Sequence, residues 1–78
     1  MTVYVITIGE KIKEYRRVNQ LSQSEFGRRL GVSPQAVYKW EQNLCYPDIF
    51  TLPHLAQILG CKTDDFFEKH ESETAAGQ

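Results

Sequence analysis

The sequence predicts an all-α domain of five short helices, and three observations support this prediction. Hydroxyl residues followed three positions later by glutamate form two capping boxes, at 7–10 and 22–25. Glycines at 31 and 60 follow apolar residues at helical spacing, where helices commonly end. The chain has 78 residues, of which 41% are hydrophobic, so it can form one compact core.

The first three helices are predicted to follow one another closely. Ser22 caps the second helix and Gly31 stops it, while Ser33 caps the third and Pro34 takes its first position. Asn43 suits a left-handed exit from the third helix, and Val37 and Trp40 should face the core. The predicted ranges are 8–18, 23–30 and 34–42.

The fourth and fifth helices are predicted from weaker signals. If Thr51 is the fourth cap, Pro53 falls in the first turn, where proline is tolerated, and Phe50 can pack against Leu55 as a hydrophobic staple. We prefer this start to one at Asp48. A last short helix is expected to be capped by Thr63, with both Phe66 and Phe67 in the core.

The segment Thr2–Ile6 is β-branched and aromatic, which indicates a strand. A lone strand has no partner in a helical domain, so we expect it to be disordered or paired with another chain as a dimerisation element. The predicted organisation is an N-terminal extension at 1–7, a helical domain at 8–70 and a polar, disordered tail at 71–78.

The strongest functional signal is a short helix, a glycine turn and a second short helix between Gln23 and Gln42. Two helices that cross steeply need a small residue at the crossing, here Gly27, and a glycine at the bend, here Gly31. Apolar residues would anchor both helices to the core and leave one face of the second helix outward. That face carries Ser33, Gln35, Tyr38 and Lys39.

This segment resembles the helix-turn-helix of the phage Cro/repressor-like (Xre-type) DNA-binding family. The resemblance extends over 8–67 and depends on an ordered set of short pieces: Ile8-Gly9-Glu10-Lys11-Ile12, Leu21-Ser22-Gln23, Leu30-Gly31-Val32-Ser33, Trp40-Glu41-Gln42, Tyr46-Pro47-Asp48, Leu55-Ala56 and Leu59-Gly60. It implies a five-helix lambda-repressor-like domain. It also implies a small transcriptional regulator, expected to be a repressor, that binds a palindromic double-stranded DNA operator as a homodimer, with the helix Pro34–Gln42 in the major groove.

The resemblance also assigns roles to individual residues. Gln35 is the best candidate for reading a base, because its amide can pair with an adenine edge through two hydrogen bonds. The residues implied to face base edges or flanking phosphates are Ser33, Gln35, Tyr38 and Lys39. Phosphate contacts are implied for Gln23, which would also buttress the recognition helix, and for Gln42 and Asn43 through the amides of their turn; Arg28 is a further phosphate candidate. The implied structural ion pair is Arg16–Glu41.

Some of these roles have alternatives that the sequence leaves open. Arg28 and Arg29 could form an ordinary solvated surface, and Tyr38 could pack on its neighbours. The chain also departs from the family where a basic loop is usual, since it has Leu44-Cys45 there. Pro34 replaces a residue that often reads a base, and proline has no side-chain donor.

The charge distribution is uneven along the chain. The formal charge is −1, but the residues up to Trp40 carry +4 and those from Glu41 onward carry −5. The near-neutral sum therefore does not exclude DNA. It predicts modest non-specific affinity, because fewer basic side chains meet the phosphates.

Other function classes have little support in the sequence. Cys45, Cys61, His54 and His70 lack the close spacing of zinc ligands, and no nucleophile–base pattern or phosphate loop indicates an enzyme or a cofactor. The main alternative is a protein-interaction module, such as an antitoxin-like partner that restrains another protein. With no membrane segment or secretory signal, we expect a cytoplasmic, nucleoid-associated protein, bacterial or phage-encoded.

Overall fold

The computed structural model describes residues 2–71 and shows a helical domain with a small antiparallel sheet. The described elements are β1 (Thr2–Ile6), α1 (Ile8–Asn19), α2 (Gln23–Leu30), α3 (Pro34–Glu41), α4 (Thr51–Leu59), a 3₁₀ helix (Thr63–Phe66) and β2 (Phe67–Glu71). Four of the five predicted α-helices are therefore present. The predicted fifth helix is wrong, because its residues form one 3₁₀ turn and then a strand. The predicted tail lies outside the described residues except for Glu71.

β1 has a partner within the same chain, which corrects the expectation that it is either disordered or paired only with another molecule. It pairs antiparallel with β2, with Val3 opposite His70 and Val5 opposite Glu68. The pairing continues at Thr7, whose N–H donates to the Phe66 carbonyl at 2.8 Å. Because β2 satisfies backbone groups of β1, the strand is ordered without a second chain.

The first predicted capping box does not form. Thr7 makes no side-chain cap on α1, and its hydroxyl instead donates to the Asp65 carbonyl at 3.0 Å. Thr7 is buried, with 8% of its surface exposed, so a local cap competes with a long-range contact that also satisfies a buried hydroxyl. The side chain therefore fastens the start of α1 to the 3₁₀ helix.

The predicted signals at α2 and α3 are confirmed. Ser22 Oγ accepts from the Glu25 N–H at 3.0 Å while the Glu25 carboxylate accepts from the Ser22 N–H at 2.8 Å. Gly31 ends α2 with a φ of 82°, a conformation that favours glycine. Ser33 Oγ accepts from the Ala36 N–H at 3.1 Å, next to Pro34 at the first position of α3.

α4 begins where its proline requires, but its cap differs from the prediction. The helix starts at Thr51, so Pro53 lies in the first turn as expected. The capping acceptor is the Asp48 carboxylate, which receives the Thr51 N–H at 2.8 Å. The predicted staple is absent, since Phe50 is 90% exposed.

One core joins all four helices and the 3₁₀ helix. Its buried residues are Ile8, Ile12, Phe26, Leu30, Val37, Trp40, Leu55, Ala56 and Phe66. Tyr15 packs against the core with its ring edge-on to Phe26, at 5.8 Å between centroids. Phe67, also predicted to be in the core, is 42% exposed, because neighbouring residues of an extended chain point to opposite sides.

Candidate nucleic-acid interface

The crossing of α2 and α3 is fixed by close backbone contact at Gly27. A Cβ at this position would lie 2.6 Å from the Val32 carbonyl oxygen, which is closer than atoms in contact normally approach. The Gly27 carbonyl also accepts the N–H groups of Gly31 and Val32, at 2.7 and 2.9 Å. The small residue predicted for the crossing is therefore required there, and the turn holds α3 at a defined angle to α2.

α3 has one buried face and one exposed face. Val37 and Trp40 are buried in the core and Glu41 is buried beside them. The four residues predicted to face bases are all exposed: Ser33, Gln35, Tyr38 and Lys39. Tyr38 is 48% exposed, so at least part of its ring is accessible to a ligand. The exposed side of α3 therefore carries these four side chains, from the cap Ser33 to Lys39 in the last turn.

Glu41 ties three parts of the domain together. Its carboxylate accepts two hydrogen bonds from Arg16 of α1, from Nε at 2.6 Å and from Nη2 at 2.8 Å. Gln23 at the start of α2 donates a third, from Nε2 at 3.2 Å. The predicted ion pair between α1 and α3 is present, and Gln23 contacts the same carboxylate, on the helix that the resemblance implies it buttresses.

This network is largely withdrawn from solvent. The Glu41 side chain is only 2% exposed and that of Arg16 is 21% exposed. Arg16 also donates from Nη1 to the Leu21 carbonyl at 3.0 Å. The hydrogen bond to Glu41 raises the pKa of the Arg16 guanidinium, although partial burial opposes this change. The network therefore fixes the orientation of α3 relative to α1 and the start of α2.

The turn after α3 differs in detail from the expectation. The backbone N–H of Gln42 donates to the Tyr38 carbonyl at 3.0 Å, and that of Asn43 donates to the Trp40 carbonyl at 3.2 Å. Asn43 has the predicted left-handed conformation, with a φ of 60°. Because both backbone amides are already used, a phosphate contact by these residues falls to their side-chain amides.

The remaining basic candidates lie at the end of α2. Arg28 is exposed, and Arg29 makes a long contact of 3.4 Å from Nη1 to the Tyr15 hydroxyl. Both guanidinium groups belong to exposed residues, and only that of Arg29 has this contact to Tyr15. Their position in the last turn of α2 also places positive charge at the negative end of the helix dipole.

The loop after α3 exposes apolar side chains that sequence patterning did not identify as a surface. Within 44–50 the exposed large residues are Leu44, Tyr46, Ile49 and Phe50, at 67%, 50%, 73% and 90%. Cys45 is exposed in the same loop, whereas Cys61 is partly buried, and this burial raises the pKa of its thiol. Among the described residues, no cluster of three or more acidic, histidine or cysteine side chains has the geometry to hold a metal ion.

Acidic side chains from the N-terminal and C-terminal parts of the chain line one groove, to which α3 does not contribute. A groove of about 790 Å³ lies between α1, the 3₁₀ helix and β2, and its charged lining is Glu10, Lys11, Glu14, Asp64, Asp65, Glu68 and Lys69. Two of these carboxylates, Glu10 and Glu14, come from the basic half of the sequence. The groove therefore brings acidic residues from both halves of the sequence together.

These features define a class of protein: a helix-turn-helix domain whose second helix is held by the core and presents polar side chains outward. Steric constraint at Gly27, the cap at Ser33 and the buried Glu41 network all act on the orientation of this helix. Such rigidity is what reading base edges in a major groove demands. No helix within residues 2–71 is long and apolar enough to cross a membrane.

Comparison with known proteins gives the same class. The family described as Helix-turn-helix matches residues 12–66. An uncharacterised HTH-type transcriptional regulator of Methanocaldococcus jannaschii is 30% identical over 63 residues, which are 81% of this chain and 96% of that protein. The chain belongs to the helix-turn-helix family.

Two solved structures with bound DNA have similar folds. The P22 c2 repressor in complex with a synthetic operator has a TM-score of 0.69 and 30% identity, covering 76% of this chain and 89% of that one. SinR, the master regulator for biofilm formation, from Bacillus subtilis, in complex with DNA has a TM-score of 0.63 and 30% identity, covering 76% of this chain and 95% of that one.

Proposed function

We propose that this chain is a transcriptional repressor that binds a palindromic operator as a homodimer and inserts α3 into the major groove. Sequence-specific binding of DNA is the function of the class to which its fold and family assign it. The observation that carries the finer proposal is the exposed face of α3, held in place by the buried Glu41 network. Two α3 helices would enter the groove about one helical turn apart, roughly 34 Å.

Within this proposal the exposed residues divide into two roles. Ser33, Gln35, Tyr38 and Lys39 face the bases or the phosphates that flank them, with Gln35 as the main reader because its side chain is exposed near the N-terminal end of α3. A glutamine amide can donate and accept at once, which matches the N6 and N7 atoms of adenine. The phosphate contacts are assigned to Gln23, Arg28, Gln42 and Asn43. The site of action is the nucleoid in the cytoplasm.

Binding-site selection from random duplex DNA tests the proposal. We expect wild-type protein to enrich a symmetric motif, and Gln35→Ala to lose preference at one position in each half-site, with a cost of roughly 1–3 kcal/mol against the preferred base. Lys39→Ala should weaken binding without removing the motif. Gln57→Ala is a matched control, because Gln57 is an exposed glutamine on α4.

The outcomes are distinct. If wild-type protein enriches no motif even at low salt, specific DNA binding by this chain is refuted. If a motif is enriched but Gln35→Ala and Gln57→Ala behave alike, DNA binding stands and the assignment of Gln35 is wrong. An enriched motif without inverted symmetry would refute the palindromic operator.

A further inference from the structure

Among the described residues, no other strand pairs with the outer edge of β1, the edge that faces away from β2. Within residues 2–71, β1 and β2 form a two-stranded sheet with no third strand. β1 contains no charge, no proline and no bulge, and Val3, Tyr4 and Val5 are 47%, 61% and 47% exposed. Soluble proteins normally protect such an edge with lysine, proline or a bulge. A two-stranded sheet also has little stability alone.

The hydrogen-bond pattern shows which backbone groups face outward. Thr7 and Phe66 continue the β1–β2 register, and the Thr7 N–H donates to the Phe66 carbonyl. Because bonding alternates along an antiparallel ladder, Val3 and Val5 direct their N–H and C=O groups toward β2. Tyr4 and Ile6 then direct theirs away from it. The outer edge of β1 therefore offers regularly spaced donors and acceptors.

We propose that a second copy of this chain pairs with this edge, β1 against β1, around a twofold axis through Tyr4. The two Tyr4 residues would exchange both backbone hydrogen bonds, and Ile6 of each chain would pair with Thr2 of the other. The two small sheets then become one four-stranded antiparallel sheet. This dimer would supply the twofold symmetry that the proposed function requires for a palindromic operator, and on that point it rests on the proposed function. Its formation does not require DNA.

Side-chain chemistry favours a second copy as the occupant. In this register Val3 lies opposite Val5 of the partner subunit in a non-hydrogen-bonded pair, where side chains are closest. Both valines are half-exposed in the single chain, so the pairing buries apolar surface twice. Tyr4 meets Tyr4 of the partner subunit on the other face. Since β1 carries no charge, self-pairing sets no like charges opposite each other.

A proline substitution tests the outer edge selectively. The Tyr4 N–H faces away from β2, so Tyr4→Pro removes an intermolecular donor and leaves the β1–β2 ladder in place. Tyr4→Ala is the matched control that shortens the side chain and keeps the N–H. By sedimentation equilibrium on the full chain, we expect a wild-type dimer, a weakened dimer for Tyr4→Ala, and a dissociation constant for Tyr4→Pro at least roughly tenfold above that of Tyr4→Ala, because two symmetry-related bonds are lost.

Charged substitutions at Tyr4 test whether the twofold axis passes through this residue, independently of the proline variant. Tyr4→Lys and Tyr4→Glu should each be monomeric, since each meets its own charge across the axis, while a one-to-one mixture should form heterodimers. A wild-type monomer at all concentrations, a dimer unaffected by Tyr4→Pro, or a mixture that stays monomeric would overturn the proposal. Binding of each variant to a single half-site is measured in parallel, so that loss of DNA recognition is distinguished from loss of dimerisation.

Discussion

At the scale of single residues, Glu41 has the greatest influence on the candidate site. It accepts hydrogen bonds from α1 and from the start of α2 while sitting at the end of α3. A buried carboxylate is costly unless it is paired and hydrogen-bonded. Glu41 satisfies both conditions, and in doing so it orients the helix that carries the proposed base contacts.

Replacing Glu41 by glutamine should therefore destabilise the domain. Glu41→Gln removes the ion pair but preserves the shape of the side chain, and we expect the free energy of unfolding to fall by about 3 kcal/mol, the low end for breaking a buried pair, because Arg16 is 21% exposed. Urea unfolding with an unchanged m-value measures this loss. Glu14→Gln is the control, since Glu14 pairs with Arg17 on the exposed side of α1. Similar urea midpoints for the two variants would contradict the structural role of Glu41.

At the scale of elements, two glycines of the helix-turn-helix are required for different reasons. Gly27→Ala drives a Cβ to 2.6 Å from a backbone oxygen, so we expect a loss of roughly 3 kcal/mol and a shifted α3. Gly31→Ala meets no atom within 4 Å but holds a φ of 82°, which costs about 1 kcal/mol. Urea unfolding gives the free energy of unfolding of each variant. Gly27→Ala should also reduce the affinity for a DNA half-site more than Gly31→Ala does. Equal effects on both would show that steric fit at the crossing is unimportant.

The capping box of α2 predicts how stability changes in acid. Hydrogen bonds from the N–H and side chain of Ser22 lower the pKa of Glu25 below its usual 4.5. With a depressed folded pKa, this contribution is present above pH 4.5 and is lost as pH falls through the folded value. Carboxyl chemical shifts of Glu25 should therefore titrate at lower pH in the folded chain than in urea. Glu25→Gln keeps the cap and should make the free energy of unfolding less dependent on pH in acid. If Glu25 titrates at the same pH in the folded chain and in urea, the prediction is contradicted.

The elements also show what the sequence could and could not predict. The caps of α2 and α3 and the glycine exit of α2 were predictable because each signal and its partner lie within a few residues. β2 was not, since Phe-Glu-Lys-His-Glu has little strand propensity and its conformation depends on pairing with β1, more than sixty positions away along the chain. The resemblance implies that Gln23 buttresses the recognition helix, but no local pattern indicates Glu41 as its partner. Local sequence signals were enough to predict which side chains of α3 are exposed. The packing of the two ends of the domain depends on contacts between residues far apart in the chain.

At the scale of the whole molecule, the near-neutral charge conceals a separation in space. Carboxylates of α1, the 3₁₀ helix and β2 line one groove, while Arg28 and Lys39 are exposed on α2 and α3. The apolar loop 44–50 replaces the basic loop that a stronger phosphate binder would have. Under the proposed function few cationic side chains would contact DNA, so each should contribute a measurable share of the salt dependence.

Replacing Lys39 by alanine measures how much one cationic side chain contributes to the salt dependence of DNA binding. Each neutralised phosphate contributes about 0.9 to the slope of log K against log salt. If a lysine from each protomer meets a phosphate, Lys39→Ala should lower the magnitude of the slope by about 1.8 for a dimer on a full operator. On a half-site the change should be about 0.9. Lys62→Ala removes the same charge from the acidic half of the chain and should leave both slopes unchanged. If the two variants shift the slope equally, the effect comes from net charge and not from contact with α3.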